Sequence, residues 1–393
     1  MTGNSKFNEI VKYIAATTVF SVLLFFYSDY AAHKNRFDPE NLSAANNTVF
    51  YTEVSADQNS VPVPETSAYA CALIDANSGS LIFSKEADTR LPMASTTKIM
   101  TAIIAIENSD LEKQVEITAE SAGIEGSSIY LAQGEILTMR ELLYGLMLES
   151  GNDAATAIAI SISGSTDKFT ELMNLKAAEL GLVNTHFDNP HGLSSDTHYT
   201  TAAELAKITA YALKNDIFRQ IVATDKYVIA ERDNCRARYF SNHNKLLRRL
   251  DICDGVKTGY TLSSGRCLVT SASTDSGRFI AVTLNDRNDW KDHEAMLNFA
   301  VDNFESIKIA EKGELKYSVP YSGFLSQNFI VSNDDDIYIT VPKNSCDMIS
   351  ISVQINKYYD IEGQKAGSVI INTGDKTVKY TLTVKKVTDK KIF

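Results

Sequence analysis

The chain has 393 residues, 44% of them apolar and 22% charged, with 7 prolines and 19 glycines, which suits two globular domains plus extra segments and excludes a disordered or fibrous chain. Its 38 Lys and Arg against 49 Asp and Glu leave a net charge of −11, opposed to the phosphate neutralisation that nucleic-acid binding needs, so no nucleic-acid partner is expected. The 5 cysteines (Cys71, Cys235, Cys253, Cys267, Cys346) are odd in number and form no CxxC pair, so neither a zinc site nor a disulfide framework is signalled. They are read as free thiols, with one bridge among Cys235, Cys253 and Cys267 left open.

Residues 1–32 place Lys6 and Lys12 ahead of a stretch from Ile14 to Tyr27 that is apolar apart from Thr17, Thr18 and Ser21, the pattern of an export signal. The stretch is short for a full span, yet Ser28-Asp29-Tyr30-Ala31-Ala32 is a poor cleavage site, which favours an uncleaved membrane anchor over a cleaved signal peptide. Residues 33–67 are polar and without period, and read as a linker. A mixed domain is expected over 68–305. It starts with a hairpin (70–75 and 80–83) around Asn77-Ser78-Gly79, and continues with helices near 95–107, 138–148, 153–163, 167–180 and 201–214. Strands at 266–272 and 279–284 and a helix over 292–303 complete it, suggesting one sheet covered by helices. Residues 313–393 read as strand throughout, as at 337–341, 349–353, 368–371 and 378–384, and form a second, all-β domain with no catalytic constellation.

Three short patterns occur in order: Ser95-Thr96-Thr97-Lys98, Ser150-Gly151-Asn152 and Lys257-Thr258-Gly259. Ser-x-x-Lys alone is weak, since Ser165-Thr166-Asp167-Lys168 also matches it, and Ser326-Gln327-Asn328 copies the second pattern. Context separates them. Ser95 follows Pro92-Met93-Ala94 and opens the apolar run Ile99 to Ile106, a helix that must be buried, whereas Ser165 reads as an N-cap before a surface helix. At i and i+3, Ser95 and Lys98 project from one helix face within reach of a hydrogen bond. Burial and a second cation, Lys257, disfavour the ammonium form of Lys98 and leave an amine able to take the Ser95 proton.

Ser150 and Asn152 occupy a tight loop between helices, a hydroxyl for proton relay beside an amide for holding a peptide carbonyl. Lys257 and Thr258 fall on an expected edge strand after the turn Asp254-Gly255 and suit a free C-terminal carboxylate. Gly259 lets substrate backbone approach, and the backbone amides of Ser95 and Tyr260 are candidates for an oxyanion hole. Ser95, Lys98 and Ser150 are thus the candidate catalytic residues, and Asn152, Lys257, Thr258, Gly259 and Tyr260 the candidate substrate-binding residues. His191 and His198 lack carboxylate-rich ligand spacing and are read as structural; no metal or cofactor is expected, and Asp153 is read as a helix cap.

Together these residues resemble the low-molecular-mass penicillin-binding proteins, the serine-type D-Ala-D-Ala carboxypeptidases, over about residues 67–305. The likeness extends to Leu148-Glu149-Ser150-Gly151-Asn152-Asp153-Ala154, Asn184-Thr185-His186-Phe187, His191-Gly192-Leu193 and Asp254-Gly255-Val256-Lys257-Thr258-Gly259. The resemblance implies an α+β penicillin-binding/β-lactamase-like transpeptidase fold, an antiparallel sheet flanked by helices, followed by a small all-β domain used as a stalk or protein-contact module. It makes 68–305 the catalytic domain, with a Ser95 acyl-enzyme, Lys98 as base, Ser150 and Asn152 as relay and anchor, and Lys257 with Thr258 on the substrate carboxylate. The implied partners are peptidoglycan stem peptides ending in D-Ala-D-Ala and β-lactam antibiotics that mimic them.

Two departures stand out. Many relatives end in an amphipathic membrane helix, whereas the stretch Val387 to Phe393 has no such face, which leaves the N-terminal segment as the expected anchor. The family's extra cation near the substrate carboxylate falls at either Arg287 or His293. A serine β-lactamase would need a deacylating base for which no motif is found, and a silent scaffold would have lost Ser95, Lys98 or Lys257, all of which are present.

Overall fold

The computed structural model describes residues 63–320, 327–343, 349–355, 363–373 and 376–389. The expected anchor (1–32), most of the linker, Ser326, Cys346 and residues 390–393 lie outside the described residues. Among those described, no helix is long and apolar enough to cross a membrane.

The elements run β1 (Ala70–Asp75), β2 (Leu81–Lys85), a 3-10 turn (Ala94–Thr97), α1 (Lys98–Asn108), β3 (Gln114–Glu116), β4 (Ile136–Thr138), α2 (Met139–Leu148), α3 (Asn152–Ser163) and α4 (Thr166–Glu179). They continue with α5 (Ala202–Ala212), α6 (Asp216–Ala223), β5 (Lys226–Ile229), β6 (Arg238–Ser241), a 3-10 turn (Lys245–Arg248), β7 (Cys253–Thr261), β8 (Gly265–Thr274), β9 (Gly277–Leu284) and α7 (Asp289–Asn303). The central sheet has the order β2-β1-β9-β8-β7 with every neighbouring pair antiparallel, so β7 is an edge strand.

Alternation along the strands decides which layer each side chain joins. On β1, Ala70, Ala72 and Ile74 face a large core with α1 to α6, while Cys71 and Leu73 face a smaller one with Met296, Leu297 and Ala300 of α7. Both faces are covered, which is why β1 is buried along its whole length. The run Lys98 to Ala105 is likewise buried without interruption, so α1 lies at the centre of the helical layer rather than on its surface.

Helix starts follow local chemistry. Thr138 and Glu141 form a reciprocal capping box at α2, and Ser165 caps α4 by accepting the Lys168 amide, as the sequence suggests. The expected helices and strands between 70 and 303 are present within a few residues, but α6 and the hairpins β3/β4 and β5/β6 have too short a pattern to be read. The expected turn at Asp254-Gly255 is instead an irregularity inside β7. Gly255 has φ +106°, and a Cβ there would lie 2.3 Å from the Val222 carbonyl oxygen.

The C-terminal region is all β, with β10 (Phe304–Ala310), β11 (Lys316–Pro320), β12 (Gln327–Asn333), β13 (Ile337–Pro342), β14 (Ile349–Ile355), β15 (Lys365–Thr373) and β16 (Lys376–Asp389). A five-stranded sheet has the order β11-β12-β16-β15-β14, and β10 pairs with β13. Residues 306–310, between the two expected domains, are strand. Cys71, Cys235, Cys253 and Cys267 are all free thiols, which removes the bridge left open among the last three.

Candidate active site

The chemistry gathers where the 3-10 turn meets α1. Ala94 has φ +48°, and hydrogen bonds from Thr96 Oγ1 to Met93 O (2.6 Å) and from Thr97 Oγ1 to Ala94 O (2.7 Å) close the turn around Ser95. Lys98 is the first residue of α1, one turn on, and its Nζ stands 3.0 Å from Ser95 Oγ. The same nitrogen donates to Asn152 Oδ1 at 2.7 Å and to the His191 carbonyl at 2.5 Å.

Lys98 is fully buried, and loss of water is the main force holding its pKa well below the usual lysine range; the Lys257 charge adds to it and Asp153 opposes it. A neutral amine has two N–H donors and one lone pair. Its three neighbours sort accordingly, because the Asn152 and His191 oxygens can only accept and Ser95 alone carries a proton to give. In the neutral state, Ser95 Oγ–H must therefore point at the Lys98 lone pair.

Asn152 opens α3, and Ser150 sits just before it with φ +62°, a left-handed conformation uncommon for serine. Ser150 Oγ is buried without a hydrogen-bond partner, an orphaned hydroxyl in the loop that presents Asn152. On the edge strand, Lys257 pairs in register with Val269, Thr258 with Leu268, Gly259 with Cys267 and Tyr260 with Arg266. Lys257 is buried, its Nζ donating to Thr258 O at 2.9 Å; desolvation pushes its pKa down to about 7, against the pull of Glu149.

Gly259 also has a structural part. A Cβ there would lie 3.1 Å from the Ser95 amide nitrogen and 3.2 Å from Ala94 Cβ, so the glycine lets the edge strand close on the turn that carries Ser95. Tyr260 follows with its side chain largely exposed. Ser95, Lys98 and Asn152 are thus joined by hydrogen bonds, Gly259 lies against Ser95, and Lys257 acts on Lys98 through charge. Ser150 belongs to the same loop as Asn152, although its hydroxyl bonds neither Lys98 nor Ser95.

Two readings of the sequence gain detail and one is corrected. Asp153 is not the N-cap residue, which is Gly151, yet its carboxylate accepts the first-turn Ala154 amide at 2.9 Å and also reaches outside the helix to Ser128 Oγ at 2.7 Å and the Leu131 amide at 3.0 Å. His293 is buried between Thr270 Oγ1 (2.6 Å) and Thr283 Oγ1 (2.9 Å), and desolvation lowers its pKa to about 3, so it is a neutral core residue and not the extra cation. Arg287 is exposed. His191 is read as structural, and in addition its backbone carbonyl completes the shell of Lys98. Backbone acceptors leave no mark in a sequence; the only clue is Gly192, whose φ of +92° and whose Cβ, 1.9 Å from Ala94 O if built, admit no other residue.

His198 keeps its structural role. Its Nδ1 accepts the Asp188 amide at 3.0 Å, which leaves Nε2–H to face Thr97 Oγ1 at 2.7 Å and brace the turn. Burial lowers its pKa to about 4. Among the described residues no group of His, Cys, Asp and Glu is arranged to hold a metal ion.

Residues 57–288, which contain all three motifs, match the family described as D-alanyl-D-alanine carboxypeptidase. The chain is 32% identical to the D-alanyl-D-alanine carboxypeptidase DacF of Bacillus subtilis, over 77% of this chain and 81% of that protein. It is 31% identical to the D-alanyl-D-alanine carboxypeptidase DacA of Escherichia coli, over 80% of this chain and 82% of that one. Among solved structures, penicillin binding protein 5 of Haemophilus influenzae superposes with a TM-score of 0.69 at 27% identity, covering 83% of this chain and 99% of its own. By its matched residues, its fold and its relatives, the chain belongs to the serine-type D-alanyl-D-alanine carboxypeptidases of the penicillin-binding protein family.

Proposed function

We propose that the chain is a D-alanyl-D-alanine carboxypeptidase that removes the terminal D-Ala of peptidoglycan stem peptides through an acyl-enzyme on Ser95, and that β-lactams acylate the same oxygen. The observation that carries this reading is the buried Lys98 amine: of its hydrogen-bond partners among the described residues, Ser95 Oγ is the one with a proton to give. As Ser95 Oγ attacks the penultimate D-Ala carbonyl, its proton passes to the Lys98 lone pair. The amide C–N bond then breaks, and the Ser150 hydroxyl hands a proton from Lys98 to the departing D-Ala nitrogen. Water hydrolyses the ester, with Lys98 again taking a proton, and restores Ser95.

Lys257 and Thr258 bind the terminal carboxylate and Asn152 the peptide backbone, while the Ser95 and Tyr260 amides accommodate the developing oxyanion. Slow release of the penicilloyl group, rather than the rapid deacylation of a β-lactamase, is the expected fate of the adduct. The N-terminal segment 1–32 tethers the enzyme to the outer face of the cell membrane, residues 33–67 space it from the surface, and 68–305 and 313–393 act as catalytic and contact domains.

The test is mass spectrometry of the protein mixed with benzylpenicillin, together with assay of D-alanine release from a peptide ending in D-Ala-D-Ala. A long-lived adduct and released D-alanine are expected, and both vanish in Ser95→Ala. Rapid loss of the adduct without D-alanine would identify a β-lactamase instead, and no adduct at all a silent scaffold.

A further inference from the structure

We infer that Asp153 is a positioning residue for this reaction: it holds the loop 125–131 so that the loop sets the carboxamide of Asn152 and, through it, the amine of Lys98. The inference rests on the acyl-transfer reading above. Four donors converge on the buried Asp153 carboxylate, namely Ser128 Oγ (2.7 Å), the Ile129 amide (3.1 Å to each oxygen), the Leu131 amide (3.0 Å) and the Ala154 amide (2.9 Å). Three of the four come from the loop, and none is the ordinary N-cap bond of α3. Arg238 grips the same loop from its other side, donating Nε to Ile129 O (2.9 Å) and Nη2 to Tyr130 O (3.1 Å) and to the buried Glu135 Oε2 (2.6 Å).

The loop so fastened reaches the reacting groups at two points. The Asn152 amide donates to Ser127 O at 2.7 Å, and Asn152 Nδ2 donates to Glu125 O at 2.6 Å. With its Nδ2 committed to the loop, Asn152 can turn only its carbonyl oxygen toward Lys98, where it accepts at 2.7 Å. A flipped carboxamide would set NH2 against the amine and spoil the arrangement that aims the Lys98 lone pair at Ser95. Gly126 marks the point of closest approach, because a Cβ there would lie 2.8 Å from Asn152 Nδ2 at φ +89°, whereas Gly123 shares the left-handed backbone, φ +75°, with nothing within 4 Å.

Acylation of Ser95 by benzylpenicillin, followed by mass spectrometry across pH, separates positioning from mere structure. The acid limb of the wild-type profile reports the protonation of Lys98. In Asp153→Asn an amide NH2 faces other donors, and Lys98 loses both a nearby carboxylate and a well-placed acceptor. Acylation is expected to slow about tenfold or more and the acid limb to move down by about one pH unit, because both losses disfavour the ammonium.

Gly126→Ala pushes on Asn152 directly from an exposed loop, leaves the buried carboxylate intact, and is expected to change rate and limb in the same direction. Gly123→Ala carries the same backbone strain without the contact and should acylate within about twofold of wild type. Circular dichroism verifies that each variant is folded, and Gly126→Ala decides the matter if Asp153→Asn is not. Wild-type rate and acid limb in folded Gly126→Ala, or equal slowing in Gly123→Ala, would overturn the inference. An unlabelled wild-type Ser95 would instead bring down the acyl-transfer reading on which it stands.

Discussion

Lysine amines are rarely buried, because removing the ammonium from water costs several kcal/mol unless the group gives up its proton. Two are buried here within one site, Lys98 and Lys257, and burial is the leading cause of the depressed pKa of each. The tasks proposed for them differ, Lys98 as a neutral base and Lys257 as a cation for a carboxylate. Replacing Lys257 with Met removes a positive charge that disfavours the Lys98 ammonium, so the acid limb of the acylation profile should move to higher pH and the KM for a carboxylate-terminated peptide should rise.

The same substitution tests what the burial costs. With a folded pKa of about 7 against an unfolded 10.5, the unfolded chain binds the extra proton between those values, so stability rises with pH across that window. At pH 7 the penalty is roughly 4 kcal/mol. Lys257→Met should therefore unfold at higher denaturant concentration than wild type at pH 7, and the gap should narrow as pH approaches 10. An equal or lower midpoint at pH 7 would contradict this view of the lysine.

Among the elements, the 3-10 turn ahead of α1 is enclosed on two sides by glycines. Gly259 of β7 lies against the Ser95 amide and Gly192 against the Ala94 carbonyl. Gly192→Ala places a Cβ 1.9 Å from that oxygen at a positive φ, so the turn must shift. A loss of more than about 2 kcal/mol of stability and a fall in acylation of about a hundredfold are expected, read from denaturant midpoints and from the rate of adduct formation. A variant with wild-type stability would show that the turn yields freely.

This scale also shows what a sequence carries and what it hides. The unbroken apolar run after Ser95 announces a buried helix, and Lys-Thr-Gly ahead of alternating residues announces the edge strand, because burial and side-chain alternation are written in residue types. The wider reach of Asp153 is hidden, since an acidic residue near a helix start looks the same whether it binds only its own helix or also reaches across to another loop. The His191 carbonyl was invisible because every residue has one. His293 stood open as a cation because the two threonines that enclose it, Thr270 and Thr283, come from separate strands.

For the whole molecule, the C-terminal β region is fastened to the catalytic sheet rather than strung behind it. Buried Asp75, at the end of β1, accepts Thr340 Oγ1 of β13 at 2.7 Å and Ser78 Oγ at 3.1 Å, and the two hydroxyls lie 2.6 Å apart. Thr340→Val keeps the shape and removes the hydroxyl. It should destabilise by about 2 kcal/mol, the usual worth of a buried hydrogen bond to a charge, and leave the rate of penicillin acylation unchanged. A large drop in that rate would mean that this contact also shapes the distant site.

The proposed tether, residues 1–32, belongs to this scale too. Exchange of residues 1–32 for a cleavable export signal should release the protein from membranes that retain the full chain through a salt wash; a full chain that washes off would remove the tether from the account.

The central claim is that one hydroxyl, beside one uncharged amine, is the nucleophile. Peptide mapping of the benzylpenicillin adduct tests it most directly: the account places the penicilloyl group on Ser95, and an adduct on Ser150, on Ser165 or on any other residue would contradict it.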